Sequence, residues 1–176
     1  KNAALYADLE KTIGEIRRTE LFLQQLLDTI PLPVFYKDTA GMYLGCNSAF
    51  EEFCGLPRER VVGRCVYDLA PRDLADIYCE ADAALFRKPG VQIYEAGFQG
   101  RDGSTRDVIF NRATYVDAEG RVAGLVGAVT DITRLKRAER ELLLSNDMLR
   151  AIIQAVPTAI IGLDLDGRVH NVWNPA

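Results

Sequence analysis

The sequence predicts an α+β fold: a five-stranded antiparallel sheet with helices on one face, flanked by long amphipathic coiled-coil helices. Three observations support this prediction. Two short strand-like runs precede a helical stretch, and three longer alternating runs separated by turn residues follow it. Charged helical runs with regularly spaced apolar residues stand on both sides of this block. The chain has 176 residues, which is enough for one domain with flanking elements.

The spacing of apolar residues within residues 1–30 predicts an amphipathic helix. Its apolar residues recur at spacings of three, four or seven: Leu9, Ile13, Ile16, Leu23, Leu27 and Ile30. This pattern is the a/d seam of a short coiled coil with charged flanks. An amphipathic helix packed on its own domain remains the alternative, because two or three heptads do not separate the two structures.

Residues 31–133 predict the globular domain. Within residues 32–48, two short strands surround a D-T-A-G turn. A short helix follows, capped by Asn47 or Ser48 and ended by Gly55, with Phe50 and Phe53 pointing inward. The stretch between Pro57 and Gly63 predicts one further helical turn.

The run RDLADIYCEADAALF predicts the longest internal helix. Its apolar face comprises five residues: Leu74, Ile77, Tyr78, Ala81 and Leu85. Three strands follow, VQIYEAGFQ, TRDVIFNRATYV and RVAGLVGAVTDIT, with turns at Asp102–Gly103 and at the sequence DAEG. Sequential hairpins with one helical excursion imply an antiparallel sheet.

The chain also contains an internal repeat. Residues 20–41 align with residues 146–167 without a gap, at an offset of 126, so that Pro31, Asp38 and Gly41 meet Pro157, Asp164 and Gly167. Residues 134–156 therefore predict a second coiled-coil helix, and residues 157–176 predict the truncated start of a second domain. The apolar positions of that helix are Leu135, Ala138, Leu142, Leu149, Ile152 and Val156.

Composition excludes several classes of function. The net charge of −4 gives no electrostatic basis for binding nucleic acid or an anionic membrane surface, and no apolar run reaches the ~20 residues of a transmembrane helix. The four cysteines, Cys46, Cys54, Cys65 and Cys79, form no C-x-x-C pair, and His170 is the one histidine. We therefore expect no metal site, reduced thiols in a cytoplasmic protein, and no catalysis by this chain itself. Because the first residue is Lys1, we expect a piece of a longer protein.

Four motifs in order suggest a family: N-S-A-F, C-G-L-P-R-E-R-V-V-G, R-D-G and D-I-T. Together they resemble a PAS domain, and the resemblance covers residue 26 to about residue 133. The sequence W-N-P-A near the C-terminus is similar to the start of a second such domain. The resemblance implies a sensory or dimerising module of a bacterial-type signalling protein, whose output domain is a histidine kinase or a cyclic-dinucleotide synthase (diguanylate cyclase).

The resemblance also implies a pocket between the sheet and the longest helix. The cysteine-adduct motif of flavin-binding members is missing around Cys65, and residues 72–88 contain no histidine to ligate haem. A covalent flavin adduct and His-ligated haem are therefore disfavoured, and the cofactor is unknown, with a small or empty pocket expected. A redox or light sensor carrying flavin or another cofactor without an adduct remains the alternative function.

Strand alternation predicts which residues face the pocket. We expect Arg112 to face outward, with its stem along the helix that covers the outer face, so that Ile109, Asn111 and Ala113 face the pocket. On the last strand, Leu125, Gly127 and Val129 share the inner face. The complete set of pocket candidates is Tyr36, Phe53, Tyr67, Tyr78, Tyr94, Ile109, Asn111, Leu125 and Val129, and the alternative for each tyrosine is core filling.

The last strand passes into the second long helix with no glycine or proline between them. This continuity predicts a relay, in which Asp131 and Thr133 couple the strand to the helix and Thr133 caps the helix. We expect a parallel homodimer through residues 5–30 and 134–156. A small-molecule ligand is the other partner expected.

Overall fold

A computed structural model describes residues 2–100, 103–155 and 160–173. It contains two compact units, residues 1–132 and 133–176. The first unit begins with helix α1 (Asn2–Asp28), strands β1 (Val34–Asp38) and β2 (Tyr43–Cys46), and three short helices. These are α2 (Ser48–Cys54), α3 (Arg58–Val61) and α4 (Val66–Leu69). Helix α5 (Arg72–Arg87) and strands β3 (Val91–Gln99), β4 (Thr105–Val116) and β5 (Val122–Asp131) complete it.

The five strands form one sheet in the order β2-β1-β5-β4-β3, and every neighbouring pair is antiparallel. Strand β5 lies at the centre, so it is bonded to both halves of the sheet. The predicted five-stranded antiparallel sheet is confirmed, with helices α2–α5 over one face. The turn predicted at Asp102–Gly103 lies partly outside the described residues.

The core lies between that sheet face and α5. It is formed by apolar side chains from the strands, from α5 and from the short helices between them. Its most enclosed members are Phe35, Cys46, Val61, Val66, Ala75, Leu85, Val108, Leu125 and Val129. Burial raises the pKa of the Cys46 thiol to about 11, so this cysteine is a neutral core residue.

Helix α2 has both predicted caps. Asn47 accepts a hydrogen bond from the Phe50 amide through its side chain, and Gly55 ends the helix in the left-handed conformation at φ 69°. Asn47 also bonds to the last turn of α1 and to the segment that follows it. Its Nδ2 donates to the carbonyls of Leu27, Ile30 and Leu32 at 2.8–3.1 Å.

The structure differs from the predicted elements in three places. Ile77 does not belong to the buried face of α5, because 51% of it is exposed, and Asp82 occupies that face instead. Helix α4 was not predicted, since four residues carry too little periodicity to identify a helix. The last seam residue, Ile30, lies beyond the end of α1 at Asp28.

The second unit contains helix α6 (Thr133–Ala155) and a two-stranded hairpin, β6 (Ile160–Leu163) and β7 (Val169–Trp173). Ile161 pairs with Val172, as Phe35 pairs with Cys46 one repeat length of 126 residues earlier. The irregularity in each hairpin falls at the same repeat position, between Tyr36 and Lys37 and between Gly162 and Leu163. Val156, Pro157 and the final three residues of the W-N-P-A sequence lie outside the described residues.

Helices α1 and α6 expose most of their apolar seams. Leu9, Ile16 and Leu23 on α1 are each more than half exposed, as are Leu135, Leu142 and Leu149 on α6. The coiled coil therefore stays a prediction. The domain limits also stay predictions: residues 1–30, 31–133, 134–156 and 157–176. Among the described residues, no helix combines the length and the apolar character needed to cross a bilayer.

Candidate functional site

A cavity of about 50 Å³ lies between the inner face of the sheet and helices α2, α4 and α5. Most of its wall is aromatic and aliphatic. The aromatic residues that line it are Phe35, Tyr43, Phe50, Tyr78, Tyr94, Phe98 and Phe110. Apolar, largely enclosed cavities with a few polar groups are typical of ligand sites, but such sites usually measure about 300–1,000 Å³, so this cavity is small.

Two charged residues line the cavity, and a third joins them. Lys37 Nζ lies 2.8 Å from Asp82 Oδ2, and Arg112 Nη1 forms an ion pair with Asp82 Oδ1. Both cationic side chains are 2% exposed and that of Asp82 is 7% exposed. We call these three residues the charged trio. Its two positive charges face one carboxylate, so it carries a net charge of +1 inside an apolar wall.

Aromatic rings compensate part of this buried positive charge. The Arg112 guanidinium lies 4.5 Å from the centre of the Tyr94 ring and 5.5 Å from that of Phe110. Lys37 Nζ lies 4.5 Å from the centre of the Tyr43 ring. Such cation–π contacts stabilise a desolvated cation by ~2 kcal/mol, which is less than the several kcal/mol that burying an ion costs.

Several polar atoms at the cavity have no partner within the described part of the chain. They are Arg112 Nε and Nη2 and the hydroxyl oxygen of Tyr94. Tyr78 differs, because its hydroxyl donates to the Gly97 carbonyl at 2.6 Å, and burial raises its pKa to about 12. Burial also lowers the pKa of Arg112, although the charge of Asp82 opposes this shift. An arginine nevertheless remains protonated at neutral pH.

Three of the nine predicted pocket residues line the cavity: Tyr78, Tyr94 and Val129. Leu125 is fully buried in the adjoining core, and Phe53 packs on Phe98 with ring centres 4.3 Å apart. These five residues come from α2, α5, β3 and β5, which the fold brings to the same side of the sheet.

The other four predicted pocket residues lie elsewhere. Tyr36 lines a groove with residues of α1 on the opposite side of the sheet. Tyr67 is 49% exposed and donates its hydroxyl to Asp76 at 2.8 Å. Ile109 and Asn111 occupy the outward-facing positions of β4.

The predicted orientation of β4 was therefore wrong. Val108, Phe110 and Arg112 are the buried positions of this strand, and Asn111 is exposed. The prediction assumed that an arginine would face solvent. That assumption failed because Asp82, 30 residues earlier on α5, supplies an opposite charge inside the core.

Sequence reasoning missed the whole charged trio. One signal was available: Asp82 stands on α5 between Tyr78 and Leu85, on the buried face of an otherwise apolar stripe. A carboxylate in that position requires a cationic partner. Lys37 and Arg112 carried no comparable signal, because a single charge in a half-buried strand usually faces water.

The cavity is directly connected to the central strand. Val129 lines the cavity from β5. Phe35, another lining residue, pairs with Gly127 of β5, and its ring fills the space where a side chain would stand, since a Cβ at residue 127 would lie 2.4 Å from the ring. Phe35 and Val129 therefore link the cavity wall to β5.

Strand β5 ends one residue before α6 begins. Asp131 is its last residue, and the amide of the buried Ile132 donates to the Asp107 carbonyl at 2.9 Å. Thr133 is the first residue of α6, so it occupies the first helical turn and not the preceding cap position that was predicted.

Cys65 does not line the cavity. It precedes α4, where its Sγ lies 3.3 Å from Asp68 Oδ2. Across the described residues, no cluster of three or more potential ligands could hold a metal ion.

Comparison with known proteins gives one family. The family model described as PAS fold matches residues 27–137. The chain is 32% identical over 136 residues to the C4-dicarboxylate transport sensor protein DctS of Rhodobacter capsulatus, covering 75% of this chain and 21% of that protein. It is 31% identical over 121 residues to the aerobic respiration control sensor protein ArcB of Escherichia coli K12, covering 69% of this chain and 16% of that protein.

The solved structure of the PAS domain of BvgS from Bordetella pertussis has the same fold. Its TM-score is 0.58 at 24% identity, and the match covers 73% of this chain and 98% of that domain. The chain thus spans nearly all of a single solved domain but only about a fifth or less of the curated relatives' length.

Proposed function

This chain belongs to the PAS fold family, and from that premise we propose that it is the input module of a dimeric sensor histidine kinase. It relays a conformational change from its cavity, through β5 and α6, to an output domain. The module itself performs no catalysis. The relatives named as sensor proteins support the signalling role, since they match over most of this chain.

One observation carries the proposal: the central strand contributes to the cavity wall and passes into α6 after a single residue. Val129 lines the cavity, and Ile132, three residues later, is fixed by burial and by its bond to Asp107. A flexible linker would dissipate a movement of β5, whereas a short and anchored joint transmits it. Repacking around Val129 or Phe35 thus has a direct covalent route to α6.

A flexible insertion tests the relay. The sequence Gly-Gly-Ser-Gly is inserted between Ile132 and Thr133 of the full-length protein, and autophosphorylation from ATP is measured. The matched control carries the same insertion in the exposed β4–β5 turn, between Ala118 and Glu119. We expect the first insertion to change the basal rate of autophosphorylation at least about threefold, and the control to match the parent protein.

Circular dichroism verifies that both insertion variants remain folded. Equal rates in the parent and both variants would show that the joint carries no signal. Absence of phosphate incorporation in the parent protein would refute the histidine kinase output, and cyclic-dinucleotide synthesis would then identify the other output class.

A further inference from the structure

The charge inside the cavity is unbalanced. Lys37 and Arg112 share the single carboxylate of Asp82, and none of the other residues that line the cavity is acidic. One positive charge therefore remains without a counter-charge among the described residues around the cavity. Leaving a buried ion uncompensated is strongly unfavourable, so one further negative charge would stabilise this site.

The unpaired donors of Arg112 indicate the shape of that anion. Nη1 is bonded to Asp82, whereas Nε and Nη2 are buried and have no partner. In a planar guanidinium the Nε–H bond and one Nη2–H bond are parallel and form a fork that matches the two oxygens of a carboxylate. Asp82 already occupies the other side of the guanidinium.

The remaining wall indicates the rest of the ligand. Leu56, Val66, Leu69 and Phe98 line the cavity and offer no hydrogen-bonding side chain, whereas Gln99 contributes the one amide side chain of the lining. The volume of about 50 Å³ corresponds to roughly four water-sized groups, at about 10–15 Å³ for each. A short aliphatic chain fits such a space, whereas a second charged group would be desolvated without a further opposite charge.

We propose that this cavity binds a small monocarboxylate anion, with the carboxylate paired to Arg112 beside Lys37 and a short apolar tail against Leu69 and Phe98. The inference deepens the proposed function and rests on it, because it identifies the chemical class of the stimulus. A monoanion brings the site to neutrality. Phosphate dianions and dicarboxylates would add two negative charges where one is required, and a neutral molecule would leave the excess charge in place.

Calorimetric titration of the purified chain tests this proposal. Acetate, propionate and butyrate are titrated separately in a carboxylate-free buffer at constant ionic strength. The corresponding amides, acetamide, propionamide and butyramide, have nearly the same shape without the charge. We expect at least one acid to bind saturably with one site per chain, and its amide to bind at least about tenfold more weakly.

The variant Arg112→Lys tests the fork, because lysine keeps the positive charge but lacks paired donors. We expect it to weaken binding of the acid at least about tenfold. Arg106→Lys is the matched control on the same strand, since Arg106 contacts Phe53 and does not line the cavity. It should bind the acid as the parent chain does.

Three results would each overturn the proposal: no saturable binding of any acid, equal binding of acid and amide, or unchanged binding by Arg112→Lys. The comparison of acid with amide uses the parent chain, so it decides the question even if Arg112→Lys does not fold. The insertion experiment uses no carboxylate, so a negative result in the binding experiment does not affect the proposed relay. Conversely, if an acid binds saturably but the insertion between Ile132 and Thr133 leaves autophosphorylation unchanged, only the proposed relay is refuted.

Discussion

Asn47 joins three parts of the first unit through one buried side chain. Its Oδ1 accepts from the amides of Val34 and Phe50 at 2.9 and 3.0 Å, which ties the start of β1 to the start of α2. Its Nδ2 donates to three carbonyls at the end of α1 and in the following segment. All these groups would lose a partner together if the amide were removed.

We expect Asn47→Ala to lower the free energy of unfolding by about 3 kcal/mol. The physical reason is that each buried backbone group left without a partner costs ~1–3 kcal/mol, with partial relaxation limiting the sum. Urea denaturation followed by circular dichroism measures the change.

Asn111→Ala is the matched control for this prediction. It removes an identical side chain from an exposed position of β4, where substitutions usually change stability by no more than ~0.5 kcal/mol. Equal losses in the two variants would contradict the role given to Asn47.

Helix α1 leaves most of its apolar seam uncovered by its own unit. Its seam residues are exposed, with Leu9, Ile16 and Leu23 between 53% and 54%. Its C-terminal end is nevertheless fixed to the domain, because Asp28 accepts from the Ser48 amide at 2.7 Å and pairs with Arg58 at 3.0 Å. A fixed end and an exposed seam favour pairing with the same helix of a second copy.

We expect the parent chain to be a dimer at tens of micromolar and Ile16→Glu to be a monomer. A glutamate at this seam position would bury its charge against the apolar seam of the second copy. Size-exclusion chromatography with light scattering measures the mass.

Arg18→Glu provides the control for the dimer prediction. Residue 18 lies about 200° around the helix from residue 16, on the face away from the seam. Arg18→Glu also introduces a glutamate, so dissociation of both variants would indicate a general effect of the added negative charge. A monomeric parent chain would contradict the predicted coiled coil.

At the scale of the whole molecule, one continuous chain segment connects the cavity to the start of α6. Residues 125–133 run from the buried core through Val129 at the cavity to the first residue of α6. The hairpin of β6 and β7 lies one repeat length after that of β1 and β2 and has the same register.

We expect Asp131→Ala in the full-length protein to leave folding intact but to make output constitutive or unresponsive. Asp131 is the last residue of the strand that passes into α6, so in the proposed relay its side chain stands where strand movement would become helix movement. Autophosphorylation measures output, and thermal unfolding with light scattering verifies fold and dimer.

The variant Asp117→Ala, in the turn that precedes β5, is the control for Asp131. Asp117 accepts hydrogen bonds from Glu119 and Arg121 within an exposed turn, and its loss should leave output unchanged. Normal signalling by Asp131→Ala, with only a stability loss of ~1 kcal/mol, would mean that this residue stabilises the joint and does not relay.

The sequence alone determined the strands, their order along the chain and the caps of α2. Strands β3 and β4 match the predicted runs, and Asn47 and Gly55 delimit the predicted helix. These features depend on local chemistry: alternation of side chains, turn residues and backbone groups that need caps within a few positions. The position of Val129 on the inner face followed from the same alternation.

Only the tertiary structure decided which face of β4 forms the cavity and what its charge is. Alternation fixes that Asn111 and Arg112 face opposite sides, but it does not fix which of them faces inward. The decision belongs to Asp82, which lies far along the chain and makes burial of Arg112 and Lys37 favourable. A side chain's preference for water or core depends on the partners that folding brings to it, and those partners are not its neighbours in sequence.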